Sequence, residues 1–196
     1  MNKSPEEIRN IIIETMLPNV PFDGWTRQSA EQAATEAGLT TDMIHAVFPD
    51  GVRDIVAHFS SWADEKMLAA LQDEDIDSLK IRERIHKAVL TRLKLLEPHK
   101  EAVRLALSYW TSPLRGMGGA RIVWHTADTI WDWAGDTSTD YNHYTKRSLL
   151  SGVIATTTLA WLKDDSEGMA DTSDFLWRRI ENVLHVGKIF GKFKKA

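Results

Sequence analysis

Cysteine is absent from this sequence of 196 residues, and so are long apolar segments. Without cysteine there is no disulfide framework, no thiolate nucleophile and no cysteine-based zinc site, which fits a reducing compartment. The longest uncharged run, residues 148–162, has 15 residues, whereas a helix that spans a bilayer needs about 20. Any membrane contact is therefore expected to be peripheral.

The N-terminal residues carry acid where a transit peptide carries arginine, so we expect the protein to stay in the cytoplasm. Hydrophobic residues make up 43% and charged residues 27% of the sequence, which is typical of a soluble globular protein. The net charge of −4 is unevenly distributed, because residues 1–177 carry −9 and residues 178–196 carry +5. An acidic body with a basic end is thus predicted.

The hydrophobic pattern predicts an all-α protein of about nine helices. The six prolines fall between segments of helical periodicity or in their first turns, and no run alternates with period two. Ser4, Pro5 and Glu7 form the N-cap, first position and capping-box residue of the first helix. The predicted helices begin at residue 5 and then cover residues 27–37, 42–48, 52–71, 78–96, 98–110, 119–133, 139–162 and 172–190.

Two modules are predicted on either side of the acidic link at residues 73–77. Residues 1–72 form an N-terminal helical module with helix-turn-helix spacing, and residues 78–196 form a second helical module. Residues 21–55 carry a net charge of −4, and the second helix of the helix-turn-helix offers no Arg, Lys, Asn or Gln to read bases. Its residues Met43, Ile44, Val47 and Phe48 are predicted to be core, so we expect no nucleic-acid binding.

No catalytic constellation is found in the sequence, and we expect neither enzyme activity, a metal site nor a cofactor. Glu83 and His86 have the spacing of a di-iron carboxylate motif, but the second such pair that a di-iron site needs is missing. Asp128, Asp132 and Asp136 lie at helical spacing and could gather a cation, although a solvated helix face is the more usual explanation. Phosphate loops, nucleophile elbows and His-Glu-x-x-His motifs are absent.

Aromatic and apolar residues are concentrated in the second module. Six of the eight tryptophans lie there, five of them between residues 110 and 161 and beside or within the uncharged helix at residues 148–162. A helix that is apolar all round should be buried on all sides, either centrally or against a partner subunit. Plain core packing is one interpretation. The other is a homodimer whose subunits hold a large apolar pocket for lipid, lined by Trp110, Met117, Trp124, Trp131, Leu149, Val153 and Trp161.

The C-terminal segment is predicted to be a basic amphipathic helix. Apolar residues recur there at steps of three and four, while six bases stand against one acid from Arg178 onward. Such helices lie flat on anionic bilayers, although a dimer-packing helix with a basic tail is the alternative. The predicted membrane-binding residues, expected at the inner face of the cytoplasmic membrane, are Lys188, Ile189, Phe190, Lys192, Phe193, Lys194 and Lys195.

One stretch is more specific than these general patterns. Residues 131–147 read Trp-Asp-Trp-Ala-Gly-Asp-Thr-Ser-Thr-Asp-Tyr-Asn-His-Tyr-Thr-Lys-Arg. This stretch resembles the signature of the ubiquinone-biosynthesis accessory protein family, the TetR-like lipid-binding component of the coenzyme Q complex, which has alphaproteobacterial homologues. Residues 22–26, 91–98 and 171–179 also resemble that family, so the similarity extends over nearly the whole chain.

The resemblance implies a TetR-like, dimeric, all-α protein that has lost DNA binding and takes isoprenoid lipids or phospholipid into an apolar cavity. It further implies a non-catalytic accessory role at the membrane, in which quinone precursors are presented to the di-iron demethoxyubiquinone hydroxylase. The partner-binding residues carried over from the family are Asp140, His143 and Tyr144, with Arg147 nearby. His143 departs from the family pattern, since animal members carry tryptophan there.

A different class of function remains open beside this one. The helix-turn-helix spacing and an apolar pocket would also suit a TetR-type transcriptional repressor that senses a hydrophobic ligand. The acidic charge of the helix-turn-helix region favours the accessory role over the repressor.

Overall fold

The structure is a computed structural model that describes residues 3–112, 114–139 and 141–193, with side chains up to residue 183. Every regular element within these ranges is helical, which confirms the all-α prediction. Three short 3₁₀ turns accompany the α-helices. The α-helices are α1 (Pro5–Met16), α2 (Val20–Asp23), α3 (Arg27–Glu36), α4 (Thr41–Val47), α5 (Val52–Ala70), α6 (Ile81–Leu96), α7 (Lys100–Trp110), α8 (Gly116–Trp133), α9 (Tyr141–Trp161) and α10 (Ala170–Phe193).

Helix α1 begins as its sequence predicts. The Ser4 side chain accepts a hydrogen bond from the Glu7 backbone N–H at 3.1 Å, and the Glu7 carboxylate accepts one from the Ser4 N–H at 2.6 Å. Pro5 takes the first helical position, where its missing N–H costs no hydrogen bond. The capping box therefore fixes the start of the chain's first helix.

Helix contacts divide the chain into two compact units that are discontinuous in sequence. The first comprises Met1–Lys66 and Leu96–Ile122, and the second comprises Met67–Leu95 and Val123–Ala196. The modules predicted from sequence are continuous segments, and that division stays a prediction. Within the described residues, no helix is both long and apolar enough to cross a membrane.

In the first unit, α1 packs against α3 and α4. Ile44, Val47 and Phe48 are buried there, as predicted for the second helix of the helix-turn-helix. The prediction for Met43 is wrong, because its side chain is 41% exposed. Helix α4 has only seven residues, and only one of its faces packs on the core, through Ile44 and Val47. Met43 lies outside that face.

His58 is a buried titratable group in the first unit. Its Nε2 lies 2.8 Å from Oδ1 of Asn10, and its ring is only 7% exposed. Burial, aided by the nearby positive charge of Arg9, lowers the pKa of His58 to about 4. The folded protein therefore resists a proton that the unfolded chain binds near pH 6.5.

We expect acid to destabilise the fold through His58. The contribution of neutral His58 to stability is fully present above pH 6.5 and is lost as the pH falls towards 4, because only the unfolded chain binds the proton in this range. The free energy of unfolding falls by up to about 3 kcal/mol. Urea unfolding at a series of pH values measures this loss. The His58→Gln variant should lack this part of the pH dependence, and an unchanged profile in that variant would contradict the assignment.

In the second unit, α9 and α10 pack against each other. Trp161 and Leu176 are completely buried at 0% exposure. The single chain does not bury residues 148–162 on all sides, so the central placement is wrong, and burial against a partner subunit stays a prediction. Ser148, Gly152 and Ala155 are exposed, and Leu159 is 56% exposed. These positions recur at helical spacing, so one uncharged face of α9 remains open to solvent.

Candidate functional site

The candidate site begins where α8 ends. The Asp136 N–H donates to the Trp131 carbonyl at 3.0 Å and the Gly135 N–H donates to the Asp132 carbonyl at 3.1 Å, which is the Schellman pattern. Gly135 has a φ of +86°, a conformation that glycine adopts without strain. The turn thereby directs the following residues back towards the first turns of α9.

Arg147 of α9 is the centre of a buried ion cluster. Its side chain is 2% exposed, and its Nε donates to Asp128 Oδ1. Its Nη2 lies 2.9 Å from Asp132 Oδ1 and its Nη1 lies 3.0 Å from Asp136 Oδ2. The planar guanidinium thus uses its fixed set of donors to tie the C-terminal half of α8 and the turn after it to α9.

Asp136 is the most enclosed of the three carboxylates, with a side chain only 5% exposed. It also accepts hydrogen bonds from Lys146 Nζ at 2.6 Å and from Ser138 Oγ at 2.7 Å. Burial opposes its ionisation, but the hydrogen bonds of Lys146, Ser138 and Arg147 prevail and lower the pKa of the carboxyl to about 2. Asp136 is therefore ionised throughout the physiological pH range.

An open pocket of about 310 Å³ lies over this cluster, within the second unit. Its lining is polar at the base and aromatic at the rim. Tyr144 is 62% exposed and stands beside Trp124, with ring centroids 6.3 Å apart. The lining residues are Asp132, Asp136, Thr137, Ser138, Thr139, His143, Tyr144 and Arg147.

Of the predicted partner-binding residues, His143 and Tyr144 lie at the surface, whereas Arg147 is buried beneath them. Tyr144 and His143 are both at the pocket rim, their rings meeting edge to face at 5.2 Å, and His143 Nδ1 lies 3.1 Å from the Ser138 carbonyl oxygen. Asp140 lies outside the described residues. Arg147 was expected to contact the partner, but its guanidinium pairs with three carboxylates and its side chain is 2% exposed. A partner cannot reach it in the single chain.

The residues predicted to line a lipid pocket are distributed over both units. Trp110 and Met117 belong to the first unit, and the others belong to the second. Met117 is 90% exposed, so it lines no enclosed cavity of the single chain. Trp161 and Val153 are buried in the second unit. The partly exposed members there are Trp124, Trp131 and Leu149.

The sequence patterns that resembled metal ligands have other partners. The Glu83 carboxylate accepts a hydrogen bond from the Lys80 N–H at 2.9 Å, and the His86 ring packs edge to face on Trp177. The cation gathered by the three aspartates of α8 and its turn is the guanidinium of Arg147. Over the part of the chain that the structure describes, no group of three or more His, Asp or Glu side chains could hold a metal ion.

The predicted membrane-binding residues cannot be placed by their side chains. The backbone of α10 is helical up to Phe193, which agrees with a terminal helix. The side chains of Lys188, Ile189, Phe190, Lys192 and Phe193 lie outside the described residues, and so do Lys194 and Lys195 altogether.

Sequence reasoning missed the supporting side chains of the site. Lys146 and Ser138 were not singled out, although both fix Asp136. The spacing of the aspartates at steps of four was a real signal of a shared cation. The cation is an arginine on the next helix, Arg147 of α9, beyond a turn. Residue spacing does not give the geometry of that turn, so the pairing could not be predicted.

The helical architecture matches a known fold class. Over 90% of this chain and 97% of the other, the structure is similar to the TetR transcriptional regulator from Nitrosomonas europaea, with a TM-score of 0.69 and 19% sequence identity. The fold is therefore TetR-like. The sequence comparisons give a narrower answer, because residues 117–187 match the sequence model described as COQ9.

Curated relatives extend this match over the rest of the chain. The chain is 30% identical over 192 residues to the ubiquinone biosynthesis protein COQ9, mitochondrial, of Rattus norvegicus, and 29% identical to that of Homo sapiens. The protein of the same name from Drosophila melanogaster is 29% identical over 185 residues. Residues 117–187 thus resemble the COQ9 family, and the similarity to its curated relatives extends over nearly the whole chain. Each alignment covers at least 92% of this chain, and the chain spans about 60% of the length of the mammalian relatives.

Proposed function

We propose that the chain is a non-catalytic, lipid-binding accessory protein of ubiquinone biosynthesis. In this role it binds isoprenoid quinone precursors at the membrane and presents them to the demethoxyubiquinone hydroxylase. The observation that carries the proposal is the similarity over 94% of the chain to relatives named ubiquinone biosynthesis proteins. Those relatives are longer than this chain, so the role is inferred for it from the shared part.

The lipid-binding step has a physical reason. An isoprenoid tail leaves a bilayer only if it finds another apolar environment, because each exposed CH₂ group costs about 0.8 kcal/mol. The second unit offers partly exposed Trp124, Trp131 and Leu149 next to its buried core. The two tryptophans combine a large apolar area with a polar N–H edge, which suits a site that takes an apolar tail and leaves a quinone head accessible.

The polar pocket supports the partner-binding step. Tyr144 and His143 are aromatic residues at its rim, and aromatic anchors are common in the centres of protein interfaces. Arg147 holds the turn beneath them through its three ion pairs. In this proposal the hydroxylase, of the di-iron type, binds over the pocket, and no covalent chemistry takes place on this chain.

A homodimer is part of the proposal. The open face of α9 formed by Ser148, Gly152, Ala155 and Leu159 is uncharged and has small residues, so a second helix can approach it closely. A single chain that leaves such a face in solvent is expected to cover it with its own copy. The membrane contact is assigned to the basic end of α10, at the inner face of the cytoplasmic membrane.

A deletion experiment tests the proposed role. Cells that lose this protein should make little ubiquinone and should accumulate the demethoxy precursor that the hydroxylase consumes. Expression of the intact protein should restore the normal quinone profile. Normal ubiquinone levels in the deletion strain, measured by liquid chromatography and mass spectrometry, would contradict the proposal.

Tyr144→Ala is expected to weaken hydroxylase binding by roughly 10- to 100-fold, since truncation of a central interface aromatic commonly costs 2 kcal/mol or more. Because Tyr144 is 62% exposed, the folded state should keep its stability. Pull-down or calorimetric titration with the purified hydroxylase measures the change. Phe22→Ala, at another exposed aromatic side chain, is the matched control, and equal affinities in both variants would refute the assignment.

The alternative function is a TetR-type repressor that senses a hydrophobic ligand, and the observation in its favour is the TetR-like fold. Residues 21–55 carry −4, whereas DNA binding relies on Lys and Arg that neutralise phosphates. A gel-shift assay against fragments of the host genome separates the two functions. Tight, sequence-specific DNA binding would favour the repressor over the accessory role.

A further inference from the structure

The corner between α7 and α8 exposes two large apolar side chains. Leu114 is 98% exposed and Met117 is 90% exposed, the highest values among the large apolar side chains that the structure describes. Isolated exposed apolar residues are ordinary on protein surfaces. Leu114 and Met117 lie three residues apart, and together they are called the apolar tip of this corner; paired exposed apolar side chains are a feature of interaction surfaces.

The corner is held in shape by close packing behind the tip. A Cβ atom built on Gly118 would lie 2.6 Å from the Trp110 ring, and one built on Gly119 would lie 2.9 Å from the Trp110 Cβ. The two glycines thus let the tryptophan pack directly on the backbone of α8. This packing holds the first turn of α8 against Trp110 of α7, while Leu114 and Met117 stay in solvent.

The corner is also positively charged, although residues 1–177 as a whole carry −9. Residues 102–127 contain no Asp or Glu, yet they include Arg104, Arg115 and Arg121. Arg115 and Arg121 are exposed, and the Arg115 guanidinium lies over the Tyr109 ring at 4.1 Å from its centroid. Apolar, aromatic and cationic side chains together are the combination found where proteins enter the interface of an anionic bilayer.

We propose that this corner is a second membrane contact, separate from α10. Leu114 and Met117 insert into the interfacial layer of an anionic bilayer, and Arg115 and Arg121 bind lipid phosphates. We choose an anionic bilayer as the binding partner because of the charges. Residues 1–177 carry −9, so an anionic surface repels most of this part of the chain but can approach the acid-free residues 102–127. The inference builds on the proposed membrane association but uses a different part of the chain.

A labelling experiment reports the insertion directly. Because the sequence has no cysteine, Leu114→Cys provides a single attachment site for an environment-sensitive fluorophore. Its emission should shift to the blue on addition of vesicles of phosphatidylcholine and phosphatidylglycerol. The same label at Phe22→Cys, where the native side chain is 86% exposed beside Asp23, should show no shift. No shift at position 114, or equal shifts at both positions, overturns the proposal.

Vesicle binding measures the contribution of the tip. The full-length double variant Leu114→Ser, Met117→Ser should bind these vesicles at least about 10-fold more weakly than the native protein. Phe22→Ser is the matched control and should bind as the native protein does. Because all three side chains are exposed, circular dichroism should show that both variants remain folded.

The terminal helix is tested separately, so that the two proposals fail independently. Ile189→Ser, Phe190→Ser, Phe193→Ser should weaken binding if α10 is a membrane contact, as the proposed function has it. If the α10 variant loses vesicle binding and the corner variant binds as the native protein does, the corner proposal is wrong and the membrane contact of α10 is supported. A corner variant that alters only the oligomeric state in sedimentation velocity overturns the proposal in favour of an interface between copies.

Discussion

Arg147→Met is expected to lower the free energy of unfolding by about 3 to 5 kcal/mol, the usual cost of removing one partner from a buried ion pair. The substitution leaves Asp128 and Asp136 without the guanidinium that they share, and the Asp136 side chain is only 5% exposed in the native protein. Urea unfolding of the variant measures the loss. The loss should shrink as the pH approaches about 4, since Asp136 without the guanidinium keeps only Lys146 as a cation and takes up a proton more readily than in the native protein.

Two further variants keep this prediction specific. Arg147→Lys retains the positive charge but not the planar set of donors, so a smaller loss is expected. Asp132→Asn should cost less than about 1 kcal/mol, because the Asp132 side chain is 66% exposed and water screens its charge. If Arg147→Met costs no more than Asp132→Asn, the cluster does not hold α8 to α9 and this account of the site is wrong.

Trp161→Ala should also destabilise the fold by about 3 to 5 kcal/mol, the range measured for truncation of buried aromatic residues. Trp161 is 0% exposed at the end of α9, in the unit where α9 packs on α10. The cavity left by the indole is too large for the neighbouring helices to fill by small movements. Thermal and urea unfolding of the purified variant measure the effect.

The same variant distinguishes a core residue from a pocket wall. A core residue gives a large loss of stability, and Trp161→Phe recovers part of it because the ring still fills much of the space. If Trp161 is instead a wall that only bound lipid covers, removing the indole should change lipid content and leave the lipid-free protein nearly as stable as before. A stability change below about 1 kcal/mol would therefore contradict the structure's placement of Trp161 in the core.

Helix ends were the most predictable part of this fold, because local residues specify them. The capping box at Ser4 and the glycine after α8 act within a few residues of sequence. The predicted helix at residues 98–110 corresponds to α7 (Lys100–Trp110), and the one at residues 139–162 corresponds to α9 (Tyr141–Trp161). The four-residue helix α2 escaped prediction, since so short an element has no hydrophobic period.

Burial was harder to predict than helix position. Residues 148–162 are apolar all round, but that pattern does not say whether the covering surface comes from the same chain or from another. The open face of α9 at Gly152 and Leu159 shows that the single chain supplies only part of the cover. Met43 illustrates the same limit on a smaller scale, because apolar character alone does not give a side chain's direction.

The candidate site was predicted in part, through the resemblance of residues 131–147 to a known family. That resemblance singles out His143 and Tyr144, which line one pocket in the structure. Their role in partner binding stays a prediction. It did not reveal that Arg147 is buried, because the ion cluster depends on a turn that brings α8 and α9 together. Charge pairs formed across a turn require coordinates, whereas charge pairs along one helix can be read from spacing.

The central claim is that this chain carries an isoprenoid lipid, and mass spectrometry of lipid co-purified with the protein tests it most directly. The native protein, extracted with organic solvent after purification without detergent, should yield isoprenoid quinones or their precursors in amounts comparable with the protein. Phe22→Ala, at an exposed position in the first unit, should yield the same lipids. A native protein that carries no isoprenoid lipid, even when purified from cells rich in ubiquinone precursors, would contradict the account.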